Sequence, residues 1–319
     1  MDRPPRTVLI PGSTGLLGRE VLTAFRSKGW SAKGMGRSRA DGIDILKVDL
    51  MDAAAVAKTL DEIKPSVIVH CAAQRYPDKV DKDPEQARAL NVGATRSLAG
   101  LAAARGILLL YISTDYVFPG RPGEAPYKAD AAPGPLNLYG QTKLDGETAV
   151  LEEYAGSGKQ GLGVVLRVPV LYGHAEMPSE SAVNSLMDAV WKVQTEGIKI
   201  KMDHWALRYP TNTEDVARIC HDVAEKYLGC DDRTALPRVL QFSSEDKMTK
   251  YDICRLFGEI MGLSIGGIEP DTQGNDPSSS VQRPFDCHLS TDELKRLGID
   301  VWTCDFRAWW RREVRAFRK

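Results

Sequence analysis

Among the 319 residues no apolar run approaches the roughly 20 residues that a membrane-spanning helix requires. The only early apolar stretch, Val8–Ile10, is too short for the core of a secretory signal, so a cytoplasmic chain is expected. The six cysteines, Cys71, Cys220, Cys230, Cys254, Cys287 and Cys304, include no Cys-x-x-Cys pair. Parity allows three disulfides, but a chain this long buries a core that needs no covalent staples, and buried free thiols are expected. The five histidines show no metal-ligand spacing, so no metal site is expected. Lysine and arginine total 42 against 43 acidic residues, a formal charge of −1, which argues against nucleic acid or an anionic membrane as partner.

What the sequence does contain is a rhythm. Short runs rich in Val, Ile and Leu predict strands at Thr7–Pro11, Ser31–Gly36, Ser66–His70, Ile107–Ser113 and Gly163–Pro169. Between them, helical periodicity predicts Leu16–Lys28, Ala53–Ile63, Pro84–Arg105 and Leu138–Tyr154. Strands apolar on both faces and separated by helices point to an α/β fold, a Rossmann-type doubly wound parallel sheet over residues 1–170. After residue 170 the pattern loosens. Helices are expected at Glu180–Gln194, Thr213–Tyr227 and Met248–Met261, and Ser290 with Glu293 reads as a capping box. Asp271–Pro284 reads as a long loop. Residues 171–319 are therefore expected to form a smaller substrate or partner lobe, interleaved with the sheet. Asp305–Lys319, with Trp309, Trp310 and six basic residues, is either an amphipathic helix docking on a partner or a packed terminal helix.

The run PGSTGLLGRE sets Gly12, Gly15 and Gly18 between the first strand and the first helix. Glycines there let the backbone approach a pyrophosphate, and the helix start supplies free N–H groups, so this loop, with Thr14, Leu16 and Leu17, is the expected dinucleotide cradle. The alternative is a tight strand–helix turn without a ligand. At the end of the second strand, where an acidic residue would accept the ribose 2′-hydroxyl of NAD, the sequence has Arg37-Ser38-Arg39. Two guanidiniums and a hydroxyl suit a 2′-phosphate and favour NADP(H), a solvated basic loop being the alternative. Asp49, beside Leu50, is placed to accept from an adenine amino group, or to cap a helix as nearby Asp52 would.

Ten tyrosines are present and only Tyr139 has a lysine, Lys143, four residues on, which puts both on one helical face. A lysine ammonium beside a phenol eases proton transfer to a substrate oxygen. Thr114, at the carboxyl end of the fourth long strand and followed by Asp115, would face the same cleft.

Together these residues resemble the extended short-chain dehydrogenase/reductase superfamily. STDYVF (Ser113–Phe118) and LYGQTKLDGE (Leu138–Glu147) look like its dTDP-4-dehydrorhamnose reductase branch, as do Arg283-Pro284, Leu289 and Leu294. That resemblance implies Tyr139 as proton donor, Lys143 as ribose anchor and Thr114 as carbonyl-orienting residue, with Cys71, Ala72 and Ala73 lining the cofactor, Asn91 behind the site and Arg167 in the cofactor set. GSTGLLGRE, VIVHCAAQR, PLNLYGQTKLDGE, MDHWALRYPT and MTKY are similar, within that branch, to the family of regulatory β subunits of methionine adenosyltransferase. This second resemblance implies NADP(H) binding, association with the methionine adenosyltransferase catalytic subunit and a role in S-adenosylmethionine synthesis; the first implies an NADPH-dependent reductase of a sugar nucleotide. The short loop over the reductase substrate matches Asp203–Thr211 here, two residues longer, without its glycine and with His204 in place of glutamine. Pro11 replaces the threonine common before the first glycine.

Overall fold

The computed structural model describes residues 6–37 and 39–316. Seven parallel strands form the central sheet: β1 (Thr7–Pro11), β2 (Ser31–Gly36), β3 (Ile45–Lys47), β4 (Val67–His70), β5 (Leu108–Thr114), β6 (Gly163–Val168) and, later in the chain, β10 (Val239–Gln241). Their order is β3-β2-β1-β4-β5-β6-β10, so the winding reverses between β1 and β4. Helices α1 (Leu16–Ser27), α2 (Ala53–Ile63), α3 (Pro77–Lys82), α4 (Pro84–Arg88), α5 (Thr95–Arg105) and α6 (Leu138–Gly156) belong to the first half. The doubly wound α/β fold expected from the sequence is present.

Both faces of the sheet are buried, and alternate residues of one strand serve different cores. Val8 and Ile10 of β1 pack with α1, whereas Leu9 packs with α2 and α5. The first face is shared with α8 (Thr213–Gly229), whose Val216, Ile219, Cys220 and Val223 lie against the strands and whose axis packs on α1.

The second half adds two two-stranded ribbons: β7 (Leu171–Tyr172) with β9 (Thr211–Asn212), and β8 (Ile200–Asp203) with β11 (Ile268–Asp271). Around them lie α7 (Leu186–Lys192), α9 (Lys250–Met261), α10 (Asp292–Arg296) and α11 (Phe306–Glu313). A third core gathers Tyr172, Val190, Ile253, Cys254, Phe257, Phe306, Trp309 and Trp310. Of the two readings of the C-terminal segment, α11 is thus a packed helix; residues 317–319 lie outside the described part.

Four expectations are corrected. The helix expected over Pro84–Arg105 is interrupted by a π-helical turn at Ala89–Ala94. The helix expected from Glu180 starts at Leu186, because the Ser181 hydroxyl accepts the N–H groups of Val183 and Asn184 (3.0 and 3.1 Å) and holds a turn instead. No capping box forms at Ser290 and Glu293; α10 starts after Thr291 without a side-chain cap, while Thr249 and Asp252 form a reciprocal box at α9. The strand expected to reach Pro169 stops at Val168. All six cysteines are free thiols. Among the described residues no helix is long and apolar enough to cross a membrane, and no group of three or more metal-ligating side chains is gathered.

Candidate functional site

At the carboxyl ends of the strands, where β1 and β4 diverge, a cleft of about 940 Å³ opens. Ligands in open α/β sheets bind at such a reversal, because neighbouring loops there splay to opposite sides.

Its floor is the glycine loop. Gly12 has φ +83°, and a Cβ there would meet the Ala72 nitrogen at 2.6 Å. A Cβ on Gly18 would lie 2.2 Å from the Gly12 carbonyl oxygen. Gly15 differs: its nearest neighbour to an added Cβ is that carbonyl, at 3.3 Å, so the space above it is open toward the cleft. α1 begins after Gly15 with no side-chain cap and no acidic residue in its first turn. Its first N–H groups and the positive end of its dipole thus face the cleft free of a competing carboxylate, as a diphosphate would require.

One end of the cleft is walled by Leu16, Leu17, Arg37, Arg39, Val48, Asp49, Leu50 and Met51. Asp52, not Asp49, caps α2, accepting from Ala54 and Ala55 N–H; Asp49 accepts from Met51 N–H and sits 3.8 Å from the Arg37 Nε. Asp49 therefore keeps carboxylate capacity at this end. Arg37 is exposed, with a side-chain accessibility of 77 %. Arg39 is engaged: it donates to the Thr14 carbonyl (2.6 Å), to Glu180 (3.2 Å) and to Glu176. The two arginines are brought together as expected, but they are not equally free. Ser38 lies outside the described residues.

The middle of the cleft holds Cys71, Ala72 and Ala73 after β4, with Thr114, Tyr139 and Lys143 opposite. Burial pushes the Cys71 thiol up to about 12, which makes it a wall and not a nucleophile. α6 is capped by the Asn137 side chain, which accepts from Gly140 N–H at 2.9 Å, and so starts where Tyr139 and Lys143 point at the end of β5. Lys143 donates to the Ile112 carbonyl at 2.7 Å and lies 4.0 Å over the Tyr111 ring. Burial lowers it to about 7, with Glu147 opposing. Tyr139 is half-buried, its ring edge-on to Tyr116 at 6.1 Å. Burial raises its phenol well above the usual value, while the Thr114 hydroxyl opposes the rise. That hydroxyl donates to Asp115 Oδ1 at 3.0 Å, and burial raises Asp115 to about 7. A phenol that keeps its proton is a competent acid only when something at hand stabilises its anion.

The far end is cationic. Arg208, 6 % exposed, has an Nη2 with no hydrogen-bond partner, its nearest carboxylate being Asp203 at 3.6 Å. Lys250 and Arg283 line the same wall, and burial followed by these two arginines lowers Lys250. This end suits an anionic group.

Two members of the expected cofactor set do not line the cleft. Asn91 is buried behind it, in the π-helical turn, where it bonds Gln74 N–H (2.8 Å), the Gln74 carbonyl (3.1 Å) and Thr142 (3.0 Å), joining the β4 loop to α6. Arg167 is held inside the sheet by Glu147 and by the Ala129 carbonyl, because β6 directs it away from the opening. Sequence reasoning also missed Arg19, Glu176, Glu180 and Lys250. Glu176 lies in a Pro-containing segment with no periodicity, Glu180 stood only as the first residue of an expected helix, and Lys250 is one of many helical lysines; only the tertiary fold singles them out.

Residues 6–317 match the family described as RmlD substrate binding domain. The chain is 43% identical to the methionine adenosyltransferase 2 subunit beta of Rattus norvegicus over 296 residues, 93% of this chain and 84% of that one. A dTDP-4-dehydrorhamnose reductase from Clostridium acetobutylicum superposes with a TM-score of 0.79 at 23% identity, covering 97% of this chain and 98% of that one. A second, from Bacillus anthracis in complex with NADP, gives 0.78 at 20% identity, covering 98% of both chains.

Proposed function

Because the chain belongs to the RmlD substrate binding domain family, and within it to the methionine adenosyltransferase 2 β subunits, we propose that it is an NADP(H)-binding regulatory subunit of a methionine adenosyltransferase. In this reading it associates with the catalytic subunit in the cytoplasm and modulates S-adenosylmethionine synthesis, within one-carbon metabolism. The observation that carries it is the 43% identity sustained over 93% of the chain. The cofactor part is supported by a glycine loop open only above Gly15, an uncapped α1, and basic Arg37 and Arg39 at the expected ribose end. Size-exclusion of the chain mixed with a methionine adenosyltransferase catalytic subunit should yield a co-eluting complex. Two separate peaks at micromolar concentrations would overturn the regulatory reading.

A second reading, an NADPH-dependent reductase of a dTDP-4-keto sugar, is favoured by one observation: Thr114, Tyr139 and Lys143 share the cleft with the cationic wall of Arg208, Lys250 and Arg283. A bound reduced nicotinamide would supply hydride. Thr114 would orient the carbonyl, Tyr139 would hold the proton for its oxygen, Lys143 would stabilise the phenolate, and the cationic wall would hold the diphosphate. NADPH consumption with a dTDP-4-keto-6-deoxy sugar, abolished in Tyr139→Phe, would establish this reading.

A further inference from the structure

Arg39 is the centre of an ionic clasp between the glycine loop and residues 174–180. Both Arg39 Nη2 and Arg19 Nη1 donate to the Thr14 carbonyl, at 2.6 and 2.8 Å. Arg19 Nη2 bonds Glu180 at 2.6 Å and the His174 carbonyl at 3.2 Å. Glu180 closes the ring on Arg39 at 3.2 Å and accepts from the Glu176 N–H at 3.0 Å. Glu176 is the outermost member: its carboxylate pairs with Arg39, and its side chain is 56 % accessible against 8 % for Glu180.

Two arginines and two glutamates make this clasp electrically neutral. One of the two guanidiniums at the expected ribose end is therefore already matched by a carboxylate of the same chain. An exposed ion pair is weak, whereas a phosphate dianion held by two guanidiniums is a stronger, bidentate partner. We propose that Glu176 is a specificity-determining residue: it competes with the 2′-phosphate for Arg39, and so reduces the preference for NADP(H) over NAD(H). Glu180 does not exchange. It is buried between the two arginines that donate to the Thr14 carbonyl and fixes them there, so its role is to hold the loop for either nucleotide.

The inference rests on the cofactor reading above. NADPH and NADH are titrated calorimetrically into the full chain and into Glu176→Gln, Glu180→Gln, Arg39→Ala and the Arg39→Ala/Glu176→Gln pair. Glu176→Gln is expected to tighten NADPH binding about threefold, the range of one exposed ion pair, and to leave NADH within twofold. Glu180→Gln is expected to weaken both nucleotides. The Glu176 gain is expected to vanish in the Arg39→Ala background, which a merely structural role for Glu176 would not produce. If the unaltered chain binds neither nucleotide, the cofactor reading and this inference fall together. If it binds NADPH but Glu176→Gln changes both nucleotides equally, weakens NADPH or changes nothing, this inference alone is overturned.

Discussion

Arg167 and Glu147 meet as a buried two-point ion pair, Nη2 to Oε2 at 2.7 Å and Nε to Oε1 at 2.9 Å, with the Ser113 hydroxyl donating to the same carboxylate at 2.5 Å. The pair joins β6 to α6 beneath the cleft. Removing one partner strands the other charge in the interior, so Arg167→Leu should cost about 3–5 kcal/mol. Denaturant unfolding would show this loss.

The two arginines at the ribose end should separate. Arg37 touches little besides the cleft, so Arg37→Ala should weaken NADPH by about 1–3 kcal/mol and leave NADH nearly unchanged. Arg39 also fixes the Thr14 carbonyl, so Arg39→Ala should weaken both nucleotides. Equal losses for NADPH and NADH on removing Arg37 would mean that it does not read the phosphate.

Gly15 and Gly18 should differ in how alanine affects stability. At Gly18 the new methyl would sit 2.2 Å from the Gly12 carbonyl, so both the melting temperature and binding should fall. At Gly15, where φ is −83°, the new methyl would meet the Gly12 carbonyl at 3.3 Å, a tight contact that a small shift relieves, and would occupy phosphate space. The melting temperature should fall less than for Gly18→Ala while affinity drops.

Lys143 is expected to make nucleotide binding proton-linked. Its folded value of about 7 lies below the ordinary 10.5, so the unfolded chain takes up this proton first as pH falls. The group therefore subtracts stability in full below pH 7, and the deficit fades as pH rises from 7 to 10.5. A bound nucleotide whose ribose is anchored by the ammonium favours the charged form. Titrations at pH 7 in buffers of different ionisation enthalpy should report uptake of about half a proton, lost in Lys143→Met.

Trp310, 1 % exposed, stacks with Tyr172 at 5.8 Å and meets Phe257 edge-on at 4.7 Å. Trp310→Ala should destabilise by about 3–5 kcal/mol, measured by denaturant midpoint. A midpoint shift within 0.5 kcal/mol, about the range of surface substitutions, would show α11 to be dispensable to the core.

The first half of the fold was legible because its strands are buried on both faces and its punctuation is local. Thr7–Pro11 and Ser31–Gly36 stand at the limits that composition sets. The cleft followed for the same reason: glycines, a Tyr–Lys pair on one helical turn and strand ends are short-range signals. What was hidden depends on long-range pairing. Arg39 finds Glu176 across 137 residues and Arg19 finds Glu180 across 161, and no local pattern announces either. The π-helical turn at Asn91 was missed because an extra residue per turn leaves composition unaltered. Ile200–Asp203 and Ile268–Asp271 were missed as strands because each is short and, among the described residues, pairs with the other alone.

That α8 shares a core with β1, β4, β5 and β6 has a consequence during synthesis. A ribosome that has released only the first 170 residues presents one flank of the nucleotide fold covered by α1 alone, with the β5 side of that core uncovered until Thr213–Gly229 emerges to pack on α1 and β5. The growing polypeptide must keep that greasy flank from its neighbours for that interval, and a premature stop before α8 would leave it permanently sticky.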